Sequence, residues 1–329
     1  MISCVALLAV LAMAITLTIG WRPFIGARSR SLASRSFERT PQRVERGRYI
    51  VTSVSGCLFC HSDHDFSAPG LPIRAGMEGA GAIEPELGLP GRIVAPNLTP
   101  DSETGIGNWT DDQLTRAIRE GIGHDGRTLV PMMPYSHFRN MSDEDVASVI
   151  VYLRSMPAVR NVLPKTEIIF PVKYLINGEP QPITSPVVRS ESTDPVKRGE
   201  YLVTMAGCSD CHTPSIRGQV PSGMDFSGGT VIAGPWGSPA SANLTPDATG
   251  IPYYEEALFM QVMRTGSVRA RTLNPIMPVS IFKGLTDSDL KDIFAYLKTL
   301  KPVKHLVDNT EAVALCKLCK QKHGGGAGN

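Results

Sequence analysis

The chain has 329 residues, enough for two domains of ordinary size. Its formal net charge is only +2, which argues against nucleic acid as a partner. Aromatic residues make up 6% of the chain, whereas glycine (31) and proline (26) are frequent. This composition predicts small domains that contain much loop.

The N-terminal segment is apolar. Residues 2–20 carry no charge and are just long enough to span a bilayer. They could also be a signal peptide, although no basic residues precede them and no clear cleavage site follows. We interpret residues 1–21 as a signal or membrane anchor and residues 22–42 as a linker. Arginines in this linker would by themselves place the rest of the chain in the cytoplasm.

Two pentapeptides of the form Cys-x-x-Cys-His begin 151 residues apart, at 57–61 and 208–212. In such a motif the thiols add across the vinyl groups of a haem and the histidine ligates the iron. A lone cysteine pair could also be a disulfide, a redox dithiol or half a zinc site, but the histidine in both copies favours haem. We therefore predict two covalently attached haem c groups. The predicted attachment residues are Cys57, Cys60, Cys208 and Cys211, and the predicted iron ligands are His61 and His212.

Covalent haem attachment at such motifs takes place outside the cytoplasmic membrane in bacteria. The motifs are more specific than the arginine distribution, so we expect export to the periplasmic side of the membrane. An uncleaved N-terminal helix would anchor the chain there, and cleavage would release it into the periplasm.

The two motifs belong to an internal repeat. Arg46–Val51 returns as Arg198–Val203, and Asn97–Asp101 returns as Asn243–Asp247. The offset falls from 151 at the cysteines to 146 at the second of these segments, so the second copy is shorter in the intervening loop.

The repeat predicts two domains, residues 43–160 and 194–304. We expect residues 161–193, which contain five prolines, to form an ordered, extended connector lying on the domains. Residues 305–329 form a tail.

Each copy is predicted to contain three helices. The first runs into the cysteine motif, over about 44–60 and 195–211. The second follows Thr110 and ends near Gly121, and its counterpart ends near Gly266. The third is capped by Ser142 or Thr286 and has acidic residues in its first turn. The predicted fold class is all-α.

A sixth iron ligand is expected, most often a methionine sulfur in electron carriers. The sequences Pro131-Met132-Met133-Pro134 and Pro275-Ile276-Met277-Pro278 align when the preceding Arg-Thr-Leu segments are superposed. Met133 then lies opposite Met277, whereas Met132 lies opposite an isoleucine. We therefore predict Met133 and Met277 as ligands and Met132 as a packing residue. The alternative is that all of these methionines only fill the core.

Other polar residues near the motifs are rival candidates for a place at the haems. Four further histidines have no counterpart in the other copy, so we interpret them as surface residues. They are His64, His124, His137 and His305. The arginines Arg127 and Arg271 and the indole of Trp109 could bind haem propionates, but an ordinary surface or packing role is an equal alternative.

At this point the residues resemble a known family. Asn97–Asp101, Thr104–Trp109, Met133–Tyr135 and Tyr152-Leu153 are similar to segments of the multi-haem cytochrome c subunits of membrane-bound alcohol and gluconate dehydrogenases. The similarity covers about 43–160 well and 194–303 more loosely. It implies two tandem class I cytochrome c domains, each a few helices wrapped around one covalent haem with histidine and methionine ligands.

That family usually has three haem domains. The tail contains Cys316 and Cys319, but Lys320 stands where the motif requires histidine. We interpret the tail as a degenerate remnant, in which the two cysteines could form a disulfide.

The resemblance implies electron transfer from a periplasmic dehydrogenase or another donor towards quinone or a terminal oxidase. We interpret the chain as an electron carrier and not as an enzyme in itself. The alternative is a dihaem enzyme, either a peroxidase or a thiosulfate-oxidising cytochrome. Two matched methionines argue against the open iron site that a peroxidase needs, and neither domain has a spare cysteine ligand.

Overall fold

The computed structural model describes residues 2–68, 71–85, 89–188, 193–216, 219–232, 236, 238–269, 271–307, 314–315 and 322–323. Its regular structure is mainly helical, as predicted. Short antiparallel strand pairs also occur, because extended loops need partners for their backbone N–H and C=O groups. The predicted tail residues Cys316, Cys319 and Lys320 lie outside the described residues.

The same order of helices recurs in the two sequence repeats. We call residues 41–156 the first repeat and residues 195–300 the second repeat. The N-terminal helices are α1 (Ile2–Thr18) and α2 (Arg22–Ile25). The first repeat contains α3 (Pro41–Tyr49), a π-type turn (Ile50–Val54), α4 (Cys57–Cys60), α5 (Asp111–Glu120), α6 (Tyr135–Phe138) and α7 (Asp143–Ser155). Between the repeats lie α8 (Val172–Leu175) and a 3-10 turn (Ile176–Gly178). The second repeat contains α9 (Pro195–Met205), α10 (Cys208–His212), α11 (Glu256–Thr265), α12 (Val279–Phe282) and α13 (Asp287–Thr299).

The strands are two residues long and pair in antiparallel fashion. In chain order they are β1 (Ala82–Ile83), β2 (Gly91–Arg92), β3 (Val94–Ala95), β4 (Glu167–Ile168), β5 (Ser267–Val268), β6 (Arg271–Thr272), β7 (Ala314–Leu315) and β8 (Lys322–His323). The pairs are β1 with β3, β2 with β4, β5 with β6 and β7 with β8. The β2–β4 pair attaches the connector between the repeats to a loop of the first repeat.

The first helix is shorter than the apolar stretch that contains it. Helix α1 has 17 residues, against the apolar stretch 2–20. Among the residues that the structure describes, no helix is long and apolar enough to cross a membrane. The anchor or signal role of residues 1–21 stays a prediction.

The predicted helix ends are confirmed for the second and third helices of each repeat. Thr110 forms a capping box with Gln113 at the start of α5, and Gly121 ends this helix with a left-handed φ of 73°. Helix α11 ends in the same way at Gly266. The side chains of Ser142 and Thr286 accept hydrogen bonds at the starts of α7 and α13.

The prediction of one continuous helix leading into each cysteine motif is wrong. Gly56 and Gly207, the residues immediately before the motifs, have φ angles of 58° and 65°. This left-handed conformation is costly for residues with a Cβ atom and ends the preceding helix. The cysteines therefore lie on separate short helices, α4 and α10, that change direction relative to α3 and α9.

The core of each repeat forms where its first and last long helices cross. A Cβ atom on Gly47 of α3 would lie 1.9 Å from the carbonyl oxygen of Ser148 in α7. A Cβ atom on Gly199 of α9 would lie equally close to the carbonyl oxygen of Asp292 in α13. Glycine is thus required at both crossings. Buried side chains of the two repeats, including Val51 and Leu290, belong to one continuous apolar core.

Residues 30–37 lie along α5 in an extended conformation. The Arg30 guanidinium contacts Asp112 at 2.7 and 2.9 Å and Glu120 at 2.8 Å. The backbone N–H groups of Ala33 and Phe37 donate to Asp112 and Asp111. This part of the predicted linker is therefore attached to the first repeat.

Candidate haem sites

A cavity of about 760 Å³ lies between the first repeat, residues 26–27 of the linker and residues 166–177 of the connector. Cys57, Cys60 and His61 line it from α4 and the residue that follows, and Met133 lines it from the loop before α6. The structure thus brings together the four residues predicted for the first haem. Apolar side chains of the core line the same cavity, among them Leu98, Ile106, Leu114, Phe138, Val149 and Leu153. Its volume and its largely apolar wall fit a large planar cofactor.

The histidines of both motifs are oriented by a carbonyl group. Nδ1 of His61 lies 2.7 Å from the carbonyl oxygen of Pro96, and Nδ1 of His212 lies 2.7 Å from that of Ala242. A carbonyl oxygen only accepts, so Nδ1–H donates and Nε2 keeps its lone pair. Burial lowers the pKa of both histidines, which favours the neutral ring. A neutral imidazole with a defined tautomer is the form that ligates iron.

The accepting carbonyl groups are themselves held in place by the Asn-Leu-Thr-Pro-Asp segments. In the first repeat, Oδ1 of Asn97 accepts hydrogen bonds from the N–H and the hydroxyl of Thr99, at 2.8 and 2.7 Å. Its Nδ2 donates to the carbonyl oxygen of Val159, 2.7 Å away. Asn97 directly follows Pro96, so this network ties the carbonyl beside His61 to the chain after α7.

The second repeat has the same network. Asn243 accepts from the N–H and the hydroxyl of Thr245, at 2.9 and 2.8 Å, and donates to the carbonyl of Val303 at 2.9 Å. In the sequence these segments served only as markers of the repeat, and their structural role was missed. The signal was available, since an asparagine follows the histidine motif at a similar spacing in both copies.

The cysteines of the two motifs are free thiols in the structure. Cys57, Cys60, Cys208 and Cys211 are free, so none of the four forms a disulfide. Burial raises the pKa of Cys57 and of Cys208 to about 12, so these thiols are protonated at neutral pH. Within the described part of the chain, no group of three or more His, Cys, Asp or Glu residues is arranged to hold a metal ion.

The environments of the methionines differ as the alignment suggests. Met133 and Met277 both pack against the main core, whereas Met132 is 39% exposed. Ile276, the counterpart of Met132, packs against a small separate cluster around Leu71 and Trp236. Met132 nevertheless lines the first cavity together with Met133, so the ligand assignment stays a prediction.

Polar groups occupy one side of the first cavity. Arg127 and Trp109 line it, as their predicted role towards a propionate requires. The Arg271 side chain lies outside the described residues. Glu84 also lines the cavity, and its buried Oε1 has no hydrogen-bond partner among the described residues. Burial raises the pKa of Glu84 to about 7.

The surface interpretation of the four other histidines holds only in part. His124 is exposed and lies with its ring centroid 4.1 Å from that of Trp109. His64 is half-buried, and its two ring nitrogens contact the carbonyl oxygens of Leu71 and Phe59 at 2.6 and 2.9 Å. His137 and His305 are also half-buried and hydrogen-bonded, because the loops fold back over them.

The comparisons with known proteins agree with this geometry. Residues 196–301 match the cytochrome c family. They form a cytochrome c domain. The domain contains the second motif and the segment with Met277, so the predicted histidine and methionine of the second repeat lie within it.

Relatives of the chain include cytochrome subunits of dehydrogenases. The alcohol dehydrogenase (quinone) cytochrome c subunit of Gluconobacter oxydans is 30% identical over 279 residues, covering 79% of this chain and 55% of that protein. The fructose dehydrogenase cytochrome subunit of Gluconobacter japonicus is 30% identical over 276 residues, covering 78% and 52%. The gluconate 2-dehydrogenase cytochrome c subunit of Pantoea cypripedii is 29% identical over 274 residues, covering 78% and 59%.

The predicted resemblance to cytochrome c subunits of dehydrogenases is therefore confirmed. The chain spans between about half and three fifths of the length of these three relatives. All three are named as cytochrome subunits of dehydrogenases.

Proposed function

We propose that the chain is an exported dihaem cytochrome c that transfers electrons from a dehydrogenase to quinone or a terminal oxidase. In this proposal residues 43–160 and 194–304 are tandem class I cytochrome c domains. Cys57, Cys60, Cys208 and Cys211 attach the haems, His61 and Met133 ligate one iron, and His212 and Met277 ligate the other. Each haem, when bound, supplies an iron that gains and loses one electron.

The observation that carries this proposal is the matched orientation of His61 and His212. Each ring donates Nδ1–H to a carbonyl 2.7 Å away in the loop before a buried asparagine. Two sites with the same hydrogen bond and the same attachment motif support the same ligation chemistry in both repeats. The apolar walls of the first cavity would exclude water, which disfavours the charged ferric form and raises the potential.

The dehydrogenase partner is proposed from the names of the relatives, which are subunits of alcohol, fructose and gluconate dehydrogenases. The exported location follows from covalent haem attachment. An N-terminal anchor would hold the chain at the periplasmic side of the cytoplasmic membrane.

The haem count tests the proposal first. Full-length protein produced in a host with a c-type maturation system should gain the mass of two haems. Replacing Cys57 and Cys60 by alanine should remove one haem, and replacing Cys208 and Cys211 should remove the other. A haem-free protein from the same host, or haem attached in one repeat only, would contradict the dihaem assignment.

Purification in mild detergent from the native membranes tests the partner. Mass spectrometry should find a dehydrogenase in stoichiometric amount. A lone dihaem protein would weaken the dehydrogenase-subunit proposal and favour a general carrier. Rapid turnover of peroxide by the purified protein would favour the alternative, a dihaem enzyme.

A further inference from the structure

The segment that follows the predicted methionine ligand in each repeat contacts the cysteine motif of the other repeat. In the first repeat this segment is α6, and it packs beside α9, which leads into α10. In the second repeat it is α12, which packs on the π-type turn that leads into α4. The two contacts are related by the repeat, since His137 of α6 aligns with Ile281 of α12.

The first of these contacts is polar. Nε2 of His137 lies 2.5 Å from Oδ1 of Asp210, and Asp210 stands between Cys208 and Cys211 in the second motif. On the other side, the N–H of His137 donates to the carbonyl of Pro134 at 3.0 Å, one residue after Met133. Covalent bonds and hydrogen bonds thus connect the methionine loop of one site to the haem-attachment turn of the other.

The second contact is apolar. A Cβ atom on Gly56 would lie 2.7 Å from Cδ1 of Ile281, so this side chain rests directly on the turn before Cys57. It provides van der Waals contact but no hydrogen bond. Electronic coupling decays less steeply through covalent and hydrogen bonds than across a van der Waals gap. The contact between His137 and Asp210 should therefore give stronger electronic coupling than the contact between Ile281 and Gly56.

Two tyrosines hold this arrangement in a fixed register. The Tyr49 hydroxyl donates to Asp289 and accepts from the N–H of Thr286 at 3.0 Å, which ties α3 to the start of α13. Tyr201 does the same for α9 and the start of α7, and the two repeats share one apolar core. These bonds hold α9, which leads into Asp210, beside the first repeat, which carries His137.

We propose that His137 and Asp210 form the electron path between the two haem sites. With haem bound in both repeats, the two irons would supply a one-electron donor and acceptor, and His137 and Asp210 would provide the hydrogen bond that connects their sites. This inference rests on the proposed function, because it requires haem in both repeats.

Substituting these residues should leave the fold intact. The side chains of His137 and Asp210 are 22% and 51% exposed, and an ion pair with this exposure adds little to stability. His137→Leu and Asp210→Ala each remove one partner of the hydrogen bond. His137→Gln keeps a donor that can reach Asp210, and Ile281→Val is the matched control on the apolar side.

The test uses full-length protein with two attached haems, partly reduced by a light pulse, and follows the redistribution of the electron between the haems. We expect His137→Leu and Asp210→Ala to lose the fast phase of redistribution, whereas His137→Gln and Ile281→Val should keep it. Midpoint potentials of each variant correct the rates for any change in driving force. Unchanged corrected rates in both His137→Leu and Asp210→Ala would overturn the inference.

A second readout does not depend on electron transfer. In proton NMR spectra, the ring resonances of His137 should shift when the haem of the second repeat is oxidised, because the ring lies against its attachment turn. A ring signal that is insensitive to this oxidation would also count against the path. A protein with fewer than two haems would overturn the proposed function itself, whereas two haems with unchanged rates would overturn only the path.

Discussion

Tyr201 in the second repeat donates its hydroxyl hydrogen to Asp145 in the first, 2.7 Å away. The same oxygen accepts a hydrogen bond from the backbone N–H of Ser142. The Tyr201 hydroxyl therefore binds both a backbone N–H at the start of α7 and a carboxylate in its first turn. Its repeat counterpart Tyr49 binds Asp289 and Thr286. Each repeat thus provides one tyrosine hydroxyl that hydrogen-bonds to the start of the last long helix of the other repeat.

Removal of one of these hydroxyl groups should destabilise the chain. We expect Tyr201→Phe to lower the free energy of unfolding by about 1–3 kcal/mol, because the carboxylate of Asp145 and the N–H of Ser142 lose a partner in a buried place. Denaturant unfolding measures this change. Tyr253→Phe is the control, since the hydroxyl of Tyr253 makes no hydrogen bond among the described residues. Equal stability of the two variants would contradict the capping role.

Asn97 should be essential for the loop beside His61. Asn97→Ala removes its bonds with Thr99 and Val159, and each buried group left without a partner costs about 1–3 kcal/mol. We expect a lower unfolding temperature and a less uniform environment of the His61 ring in NMR spectra. Asn140→Ala at an exposed position is the matched control and should change neither.

Arg30 should contribute strongly to stability. Its side chain is 17% exposed and pairs with Asp112 and Glu120, which are almost completely buried. Arg30→Ala leaves the buried Glu120 carboxylate without its cation and leaves Asp112 with the more distant Arg35 alone, 3.5 Å away. We expect a loss of about 3–5 kcal/mol in chemical denaturation. Arg28→Ala should have little effect, because Arg28 makes a single exposed contact with Gln181. A small effect of Arg30→Ala would show that residues 30–37 are not held by this cluster.

The potential of the first site should depend on pH near neutrality. Burial raises the pKa of Glu84 from 4.5 to about 7, so its carboxyl loses a proton as the pH rises through this value. The resulting negative charge at the cavity wall favours the ferric state. We therefore expect the midpoint potential of one haem to fall between about pH 6 and pH 8 in a redox titration. Glu84→Gln should abolish this slope, whereas Glu103→Gln at an exposed position should keep it.

Ligand exchange at Met133 should change one potential markedly. Axial ligands set haem potentials over a range of about 0.8 V, and a second histidine gives a lower value than a thioether sulfur. We expect Met133→His to lower the potential of one haem and Met277→His to lower that of the other. Met132→His is the control for an added histidine in the same loop. A redox titration in which Met133→His matches the parent protein would reject the assignment.

Local chemistry was readable from the sequence alone. Cys-x-x-Cys-His predicts haem attachment whatever the surrounding fold, because the three side chains are neighbours in sequence. Thr110 and Gly121 marked the ends of α5, since caps depend on a residue and its nearest neighbours. The repeat likewise indicated that Met133, and not Met132, has a methionine counterpart in the second copy, at Met277.

Relations between distant parts of the chain were decided by the tertiary structure. The carbonyl beside His61, the Asn97 network that holds it and the hydrogen bonds of Tyr49 and Tyr201 all join residues far apart in sequence, so no local pattern contained them. The break at Gly56 was missed for a different reason. A glycine is a local signal for the end of a helix, as at Gly121, but at Gly56 the adjoining cysteine motif was taken as part of the same helix.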